Sequence, residues 1–143
     1  VVSGPAEKGR EANRRMEMIC DTYLSVSTPA QNALSAWLTD GALVREEIVK
    51  RIRKNHSALS SICSGGVKPL NAQGGWYAVL SLPQSIVEEE FCVRLLEEER
   101  VYVHPGYFFD FEDEPVLVVS LLPFEKDFNA GIEAVCRSVK AQV

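Results

Sequence analysis

Residues 116–122 form a run of seven in which only Ser120 is polar. A strand with one wet face alternates apolar and polar residues, so an unbroken run belongs to a strand covered on both faces. Such a strand commits the chain to a layered fold, with helices packed on a sheet. Trp76-Tyr77-Ala78-Val79-Leu80-Ser81-Leu82 follows Gly74-Gly75 and stops at Pro83, the pattern of a second strand. Residues 67–70 offer a short partner. Val101-Tyr102-Val103-His104, closed by the turn signal Pro105-Gly106, reads as another short strand.

Helical spacing dominates elsewhere. Pro5 suits a first helical turn, and mixed charges between Glu7 and Glu17 lead into Met16, Ile19 and Tyr23. Thr28 and Gln31 have capping-box spacing, with Pro29 at the first helical position. Ala30, Ala33, Leu34, Trp37 and Leu38 then recur as one stripe expected to be buried. Leu43, Val44, Ile48, Ile52, Leu59 and Ile62 continue a long amphipathic helix that stops at Gly65-Gly66. Ser85 and Glu88 form a second capping box, for a helix burying Val87, Phe91, Leu95 and Leu96. A last helix turns Phe124, Phe128, Ile132, Val135 and Val139 to the core. The order, helices and then β-β-α-β-β-α, predicts an α/β (α+β) fold. It is a two-layer sandwich of a small, mostly antiparallel sheet with packed helices, preceded by a long helical segment.

Composition narrows the function. With 46% hydrophobic residues, 143 residues can bury a real core. A net charge of −5 argues against nucleic acid as a partner. Cys20, Cys63, Cys92 and Cys136 include no C-x-x-C pair, and His56 and His104 are the only histidines, which argues against zinc. Reduced buried thiols suit a cytoplasmic setting. No apolar run approaches the length of a membrane span, and no signal-peptide pattern opens the chain. Val1-Val2-Ser3-Gly4-Pro5 reads like the end of a strand cut from something longer, so a piece of a larger protein is expected.

No self-contained catalytic constellation stands out. Glu88-Glu89-Glu90 and Glu97-Glu98-Glu99 fit a solvated helix face better than a metal site. Ser25, Ser27 and Thr28, just ahead of a helix, are placed either to cap it or to hold an anion such as a phosphate. His104-Pro105-Gly106 is a candidate ligand-facing loop, against the plainer reading of a surface histidine. Tyr107, Phe108, Phe109 and Phe111 could fill a core, line a pocket or form an interface.

Four stretches in series resemble the C-terminal portion of the class I/II aminotransferases, fold-type I pyridoxal-phosphate enzymes. They are Asp21-Thr22-Tyr23-Leu24-Ser25-Val26-Ser27-Thr28-Pro29-Ala30-Gln31; Gly74-Gly75-Trp76-Tyr77; Leu95-Leu96-Glu97-Glu98 followed by residues 101–109; and residues 116–122 with Phe128, Gly131 and Ile132. The resemblance covers nearly the whole chain. It implies that residues 1–40 are a helical segment belonging to the large domain and interdomain connection, and residues 41–143 the small C-terminal domain. It implies pyridoxal phosphate as cofactor of the full-length enzyme, and a homodimer. The partners would be the chain's own N-terminal catalytic domain and a small-molecule amino donor. None of Lys8, Lys50, Lys54, Lys68, Lys126 and Lys140 has the context of the Schiff-base lysine, so no catalytic residue is assigned. The piece alone is expected to be inactive and to bind no cofactor.

By the same resemblance Ser25, Ser27 and Thr28 are the cofactor contacts, and Gly75 and Trp76 lie beside the substrate. The run Leu117-Val118-Val119-Ser120 puts Val118 where the family carries a carboxylate-clamping arginine. His104, at the neighbouring strand end, is the candidate substitute contact, and the parent could accept a different amine or perform a lyase or racemase reaction. A self-contained α/β ligand-binding or regulatory domain is the alternative. Its first 40 residues would pack on its own sheet, whereas an open apolar face around Tyr23, Leu34 and Trp37 would favour the truncated enzyme.

Overall fold

The computed structural model describes residues 4–23, 26–111 and 113–143. They fall into two units, Val1–Leu43 and Val44–Val143. The first holds α1 (Ala6–Thr22) and α2 (Thr28–Asp40). Neither helix buries a residue. The expected α2 stripe is therefore corrected: Leu34, Trp37 and Leu38 are 51%, 61% and 74% exposed. The helical spacing is real, but this unit has no second layer for the stripe to face. Tyr23, Met16 and Ile19 are exposed for the same reason.

α3 (Ala42–Ile62) begins at the boundary and carries into the second unit. β1 (Lys68–Pro69), β2 (Tyr77–Ser81), α4 (Glu88–Arg94), β3 (His104–Pro105), β4 (Val116–Ser120) and α5 (Glu125–Lys140) follow. The strands make one antiparallel sheet in the order β1-β2-β4-β3. Ala78, Leu80, Leu117 and Val119 on one face join Leu59 of α3, Phe91 of α4, and Phe128, Ile132, Val135 and Val139 of α5 in a single core. Val116 and Val118, on the other face of β4, are buried as well. The α/β sandwich and the doubly covered strand match the sequence reading.

Polar side chains tie the layers together. Asn55 on α3 is fully buried, and its Nδ2 donates to the carbonyls of Leu121 (3.0 Å) and Pro123 (2.9 Å). Glu88 does not close a capping box with Ser85, because α4 starts at Glu88 with Val87 as its cap. Its carboxylate instead accepts the backbone N–H of Val116 (2.5 Å) and of Tyr107 (3.3 Å), binding the helix to a strand and a loop. Gly106 sits in this junction, where an added Cβ would lie 2.3 Å from the Val116 side chain.

Three smaller expectations change. Val87 and Leu96 are exposed, and Ile86 takes the buried place beside Phe91 and Leu95. The strand expected over residues 101–104 is confined to His104–Pro105, since the Val101 amide donates to the Leu95 carbonyl that ends a π-helical turn, Leu95–Glu99. Phe124 is exposed, with the Arg51 guanidinium 4.5 Å above its ring. No helix among the described residues is long and apolar enough to cross a membrane.

Truncating Asn55 takes its donor from the Leu121 and Pro123 carbonyls, of which Leu121 is buried. Asn55→Ala should cost about 1–3 kcal/mol in urea denaturation. Lys54→Ala, which removes an exposed ion pair with Glu125, should cost less than about 1 kcal/mol.

Candidate functional site

At the start of α2, Ser25 lies outside the described residues. Ser27 is the cap residue and Thr28 the first helical residue, and no side chain among the described residues caps the helix. The expected Thr28–Gln31 box is therefore corrected. Gln31 Nε2 donates to the Val26 carbonyl at 2.6 Å, and the Gln31 amide donates to the Ser27 carbonyl. Ser27 and Thr28 are exposed. They belong to the first unit, whereas Gly75, Trp76 and His104 belong to the second.

In the second unit, one face of α3 and the loop ahead of β2 enclose an open cleft of about 460 Å³. Ile52, Arg53 and His56 form one wall, Gly74 and Gly75 the other, with Tyr77 beside them. No acidic residue among the described ones lines it. Gly75 has φ +89°, a left-handed conformation that only glycine holds without strain. Gly74 has an ordinary φ, and a Cβ built there would meet nothing within 4 Å. Trp76 is half exposed and meets Tyr77 edge-on, with centroids 6.3 Å apart. It does not line the cleft.

The outer face of the sheet gathers aromatic rings around His104. His104 lies directly opposite Val118 in the β3–β4 ladder, so both project from the same face. Its ring is 4.9 Å from Tyr102 and 6.0 Å from Phe108 and Phe109, and Phe109 lies 6.4 Å from Tyr77. The Nδ1 atom of His104 is buried with no hydrogen-bond partner among the described residues. Tyr77 thus borders both the cleft and the aromatic face, and it was not singled out from the sequence as a site residue. The only sequence signal for it was the glycine pair before a strand. Tyr107, Phe108, Phe109 and Phe111 do not fill the core but remain partly exposed here.

Other chemistry is limited. Among the described residues no cluster of histidine, cysteine, aspartate and glutamate could hold a metal. Glu89, Glu90, Glu97 and Glu98 are exposed, and Glu99 pairs with Arg137 at 2.9 Å. All six lysines are exposed, and none lines the cleft. Burial raises the Cys63 thiol to about 11, helped by Cys136, and raises the Cys92 thiol to about 11, helped by Glu88.

The profile of the family described as aminotransferase class I and II matches residues 3–121. Among solved structures, the chain is similar to the α-aminoadipate aminotransferase LysN of Thermus thermophilus, at 23% identity and TM-score 0.58, covering 79% of this chain and 29% of that one. It is similar to the kynurenine aminotransferase of Pyrococcus horikoshii, at 20% identity and TM-score 0.66, covering 91% and 34%. It is also similar to a decarboxylase from Sulfurospirillum multivorans, at 16% identity and TM-score 0.67, covering 89% and 37%. At these identities the likeness shows the fold, and the chain spans about a third of the length of each structure. No curated protein matches the chain.

Two outcomes follow for these side chains. With pKa values near 11, Cys63 and Cys92 hold only about a thousandth of their thiols as thiolate at pH 8. Iodoacetamide labelling of both should be slow at pH 8 and rise about tenfold per unit up to pH 10, read by peptide mass spectrometry. His104→Phe keeps the ring contacts and removes a buried nitrogen with no partner among the described residues, so the unfolding free energy from urea denaturation should hold or rise, by up to about 1 kcal/mol.

Proposed function

Because the chain belongs to the class I and II aminotransferase family, we propose that it forms the small C-terminal domain of a pyridoxal-phosphate-dependent enzyme. That enzyme moves an amino group between an amino acid or amine and a 2-oxo acid. Residues 1–40 supply the helical segment of the large domain and interdomain connection, and residues 41–143 the small domain. The catalytic lysine comes from elsewhere in the enzyme, and this chain alone does not transaminate. The observation that carries this is the pairing of a family match across residues 3–121 with six lysines that all stand exposed at the surface.

Pyridoxal phosphate, when bound, supplies the electron sink for the reaction. This chain's residues have other work. Ser27 and Thr28 offer hydroxyls at the start of α2, with Ser25 two residues earlier in the sequence, and the N–H groups of a helix start favour an anion. Gly75, Trp76 and His104 border the substrate, and closure of the small domain excludes water from it. Val118 is apolar and buried. An arginine clamp is therefore missing at that position, and the amino donor is held by other groups of the enzyme. The enzyme works as a cytoplasmic homodimer, in which the α2 stripe gains an apolar partner.

A self-contained ligand-binding domain is the second reading, favoured by the closed core and the cleft of the second unit. Trp37 and Tyr23, at 61% and 72% exposed, speak for the first.

Incubation of the chain with pyridoxal phosphate, followed by borohydride and peptide mapping, should give no stoichiometric lysine adduct. One modified lysine per chain, with an aldimine absorbance, would overturn the proposal.

A further inference from the structure

We infer that Cys63 and Cys136 form a redox-active thiol pair, which a small-molecule disulfide such as oxidised glutathione converts into a disulfide locking the end of α3 to α5. The inference does not rest on the function proposed above.

Two observations carry it. The first is the contact itself. The Cys136 thiol donates to the Ile62 carbonyl at 3.8 Å. Its sulfur remains available as an acceptor, and the thiol of Cys63, the residue after Ile62, hydrogen-bonds with it. Cys136 is buried in the core, and Cys63 packs against that core from a half-buried position. The other two cysteines have different surroundings. Cys92 sits beside Glu88 and Tyr107, and Cys20 is exposed on α1.

The second is that the backbone on either side is held in place. The Cys63 amide donates to the Leu59 carbonyl at 2.9 Å, so Cys63 still hangs on the last turn of α3, and Leu59 is buried. Two residues on, Gly65 has φ +66°, and its backbone runs so close to α5 that an added Cβ would lie 2.6 Å from Cγ of Lys140. Lys140 stands one turn beyond Cys136 on α5. Residues 62–65 therefore lie along two turns of α5. The fold, rather than two mobile side chains, sets the sulfurs side by side.

Solvent access divides the roles. Cys63, the more open of the two, attacks one sulfur of oxidised glutathione as its thiolate; that S–S bond breaks and one glutathione thiolate leaves. Cys136, as its thiolate, then attacks the Cys63 sulfur of the mixed disulfide, expelling the second glutathione and closing the Cys63–Cys136 bond. The two protein thiols give up two protons and two electrons, and the oxidant receives both as two glutathione thiols. The burial that raises the Cys63 thiol to about 11 makes the first step slow. It does not oppose the product, since a disulfide carries no charge to desolvate. The bond closes the long stretch from residue 63 to residue 136, which removes freedom from the unfolded chain.

The test is incubation of the folded 143-residue chain, carrying Cys20→Ser, with oxidised glutathione at pH 9, followed by non-reducing peptide mapping and thermal unfolding. The monomer should lose about 2 Da, the mass of two hydrogens, and yield a linked peptide joining Cys63 to Cys136. Its Tm should rise by about 10 °C, and dithiothreitol should reverse both changes. Cys63→Ser, at a half-buried position, should keep the parent's far-UV circular dichroism, leave Cys136 unmodified and abolish the rise. A stable mixed disulfide on Cys63 with Cys136 still reduced would overturn the inference. So would a Cys63–Cys92 link of equal abundance, a Tm rise that survives Cys63→Ser, or a pair still reduced in the folded chain after the same reagent has oxidised it in urea. The borohydride outcome does not bear on it.

Discussion

A single buried amide places α3 against the sheet. Asn55 lies among apolar neighbours, where an unpaired polar group is costly; its Nδ2 is paired, while its buried Oδ1 has no partner among the described residues. Its two donors meet the carbonyls just beyond β4, at residues 121 and 123. Those carbonyls have left the ladder, because the chain turns there into α5. The contact therefore fixes both the rotation of α3 and the exit of the most buried strand. Rotation matters because Arg53 and His56 flank Asn55 in sequence. With Asn55 turned inward, these neighbours rise along the rim and face the Gly74–Gly75 loop.

The two faces of the sheet solve different problems. The inner face is aliphatic, drawing on α3, α4 and α5 for a closed core. The outer face is covered more thinly, by aromatic rings that stay partly wet and by one histidine with an unpaired nitrogen. Glu88 bridges the two regimes, holding the α4 end to the loop that carries those rings. An aromatic face of this kind has contact area in hand for a ligand or another protein surface.

Period and burial were legible where a side chain's neighbours come from its own unit. The run at residues 116–122 announced a strand covered twice, and Val116 to Val119 are all buried. Phe91, Leu95, Phe128 and Val135 went where helical spacing sent them. The same spacing misplaced Leu34 and Trp37, because periodicity says which face is apolar but not whether anything covers it. Caps were read less well. Thr28–Gln31 and Ser85–Glu88 had the right spacing, yet Gln31 and Glu88 found backbone partners outside the box. Of the site, the glycine pair and His104 were visible as turn and strand-end signals. Arg53 was not, since one arginine on a charged helix face looks like any other until the fold sets a loop opposite it.

Both outer strands of the sheet are two residues long, and each contains a proline, Pro69 in β1 and Pro105 in β3. Proline has no N–H to offer a further strand, and a two-residue edge gives a newcomer almost no ladder to extend. The sheet is thus closed to growth at both margins. Any polypeptide that docks on this unit must do so through side chains laid on a face, which makes recognition a matter of shape and chemistry rather than of generic backbone pairing. An aromatic surface can then stay accessible beside an edge that does not invite cross-β stacking.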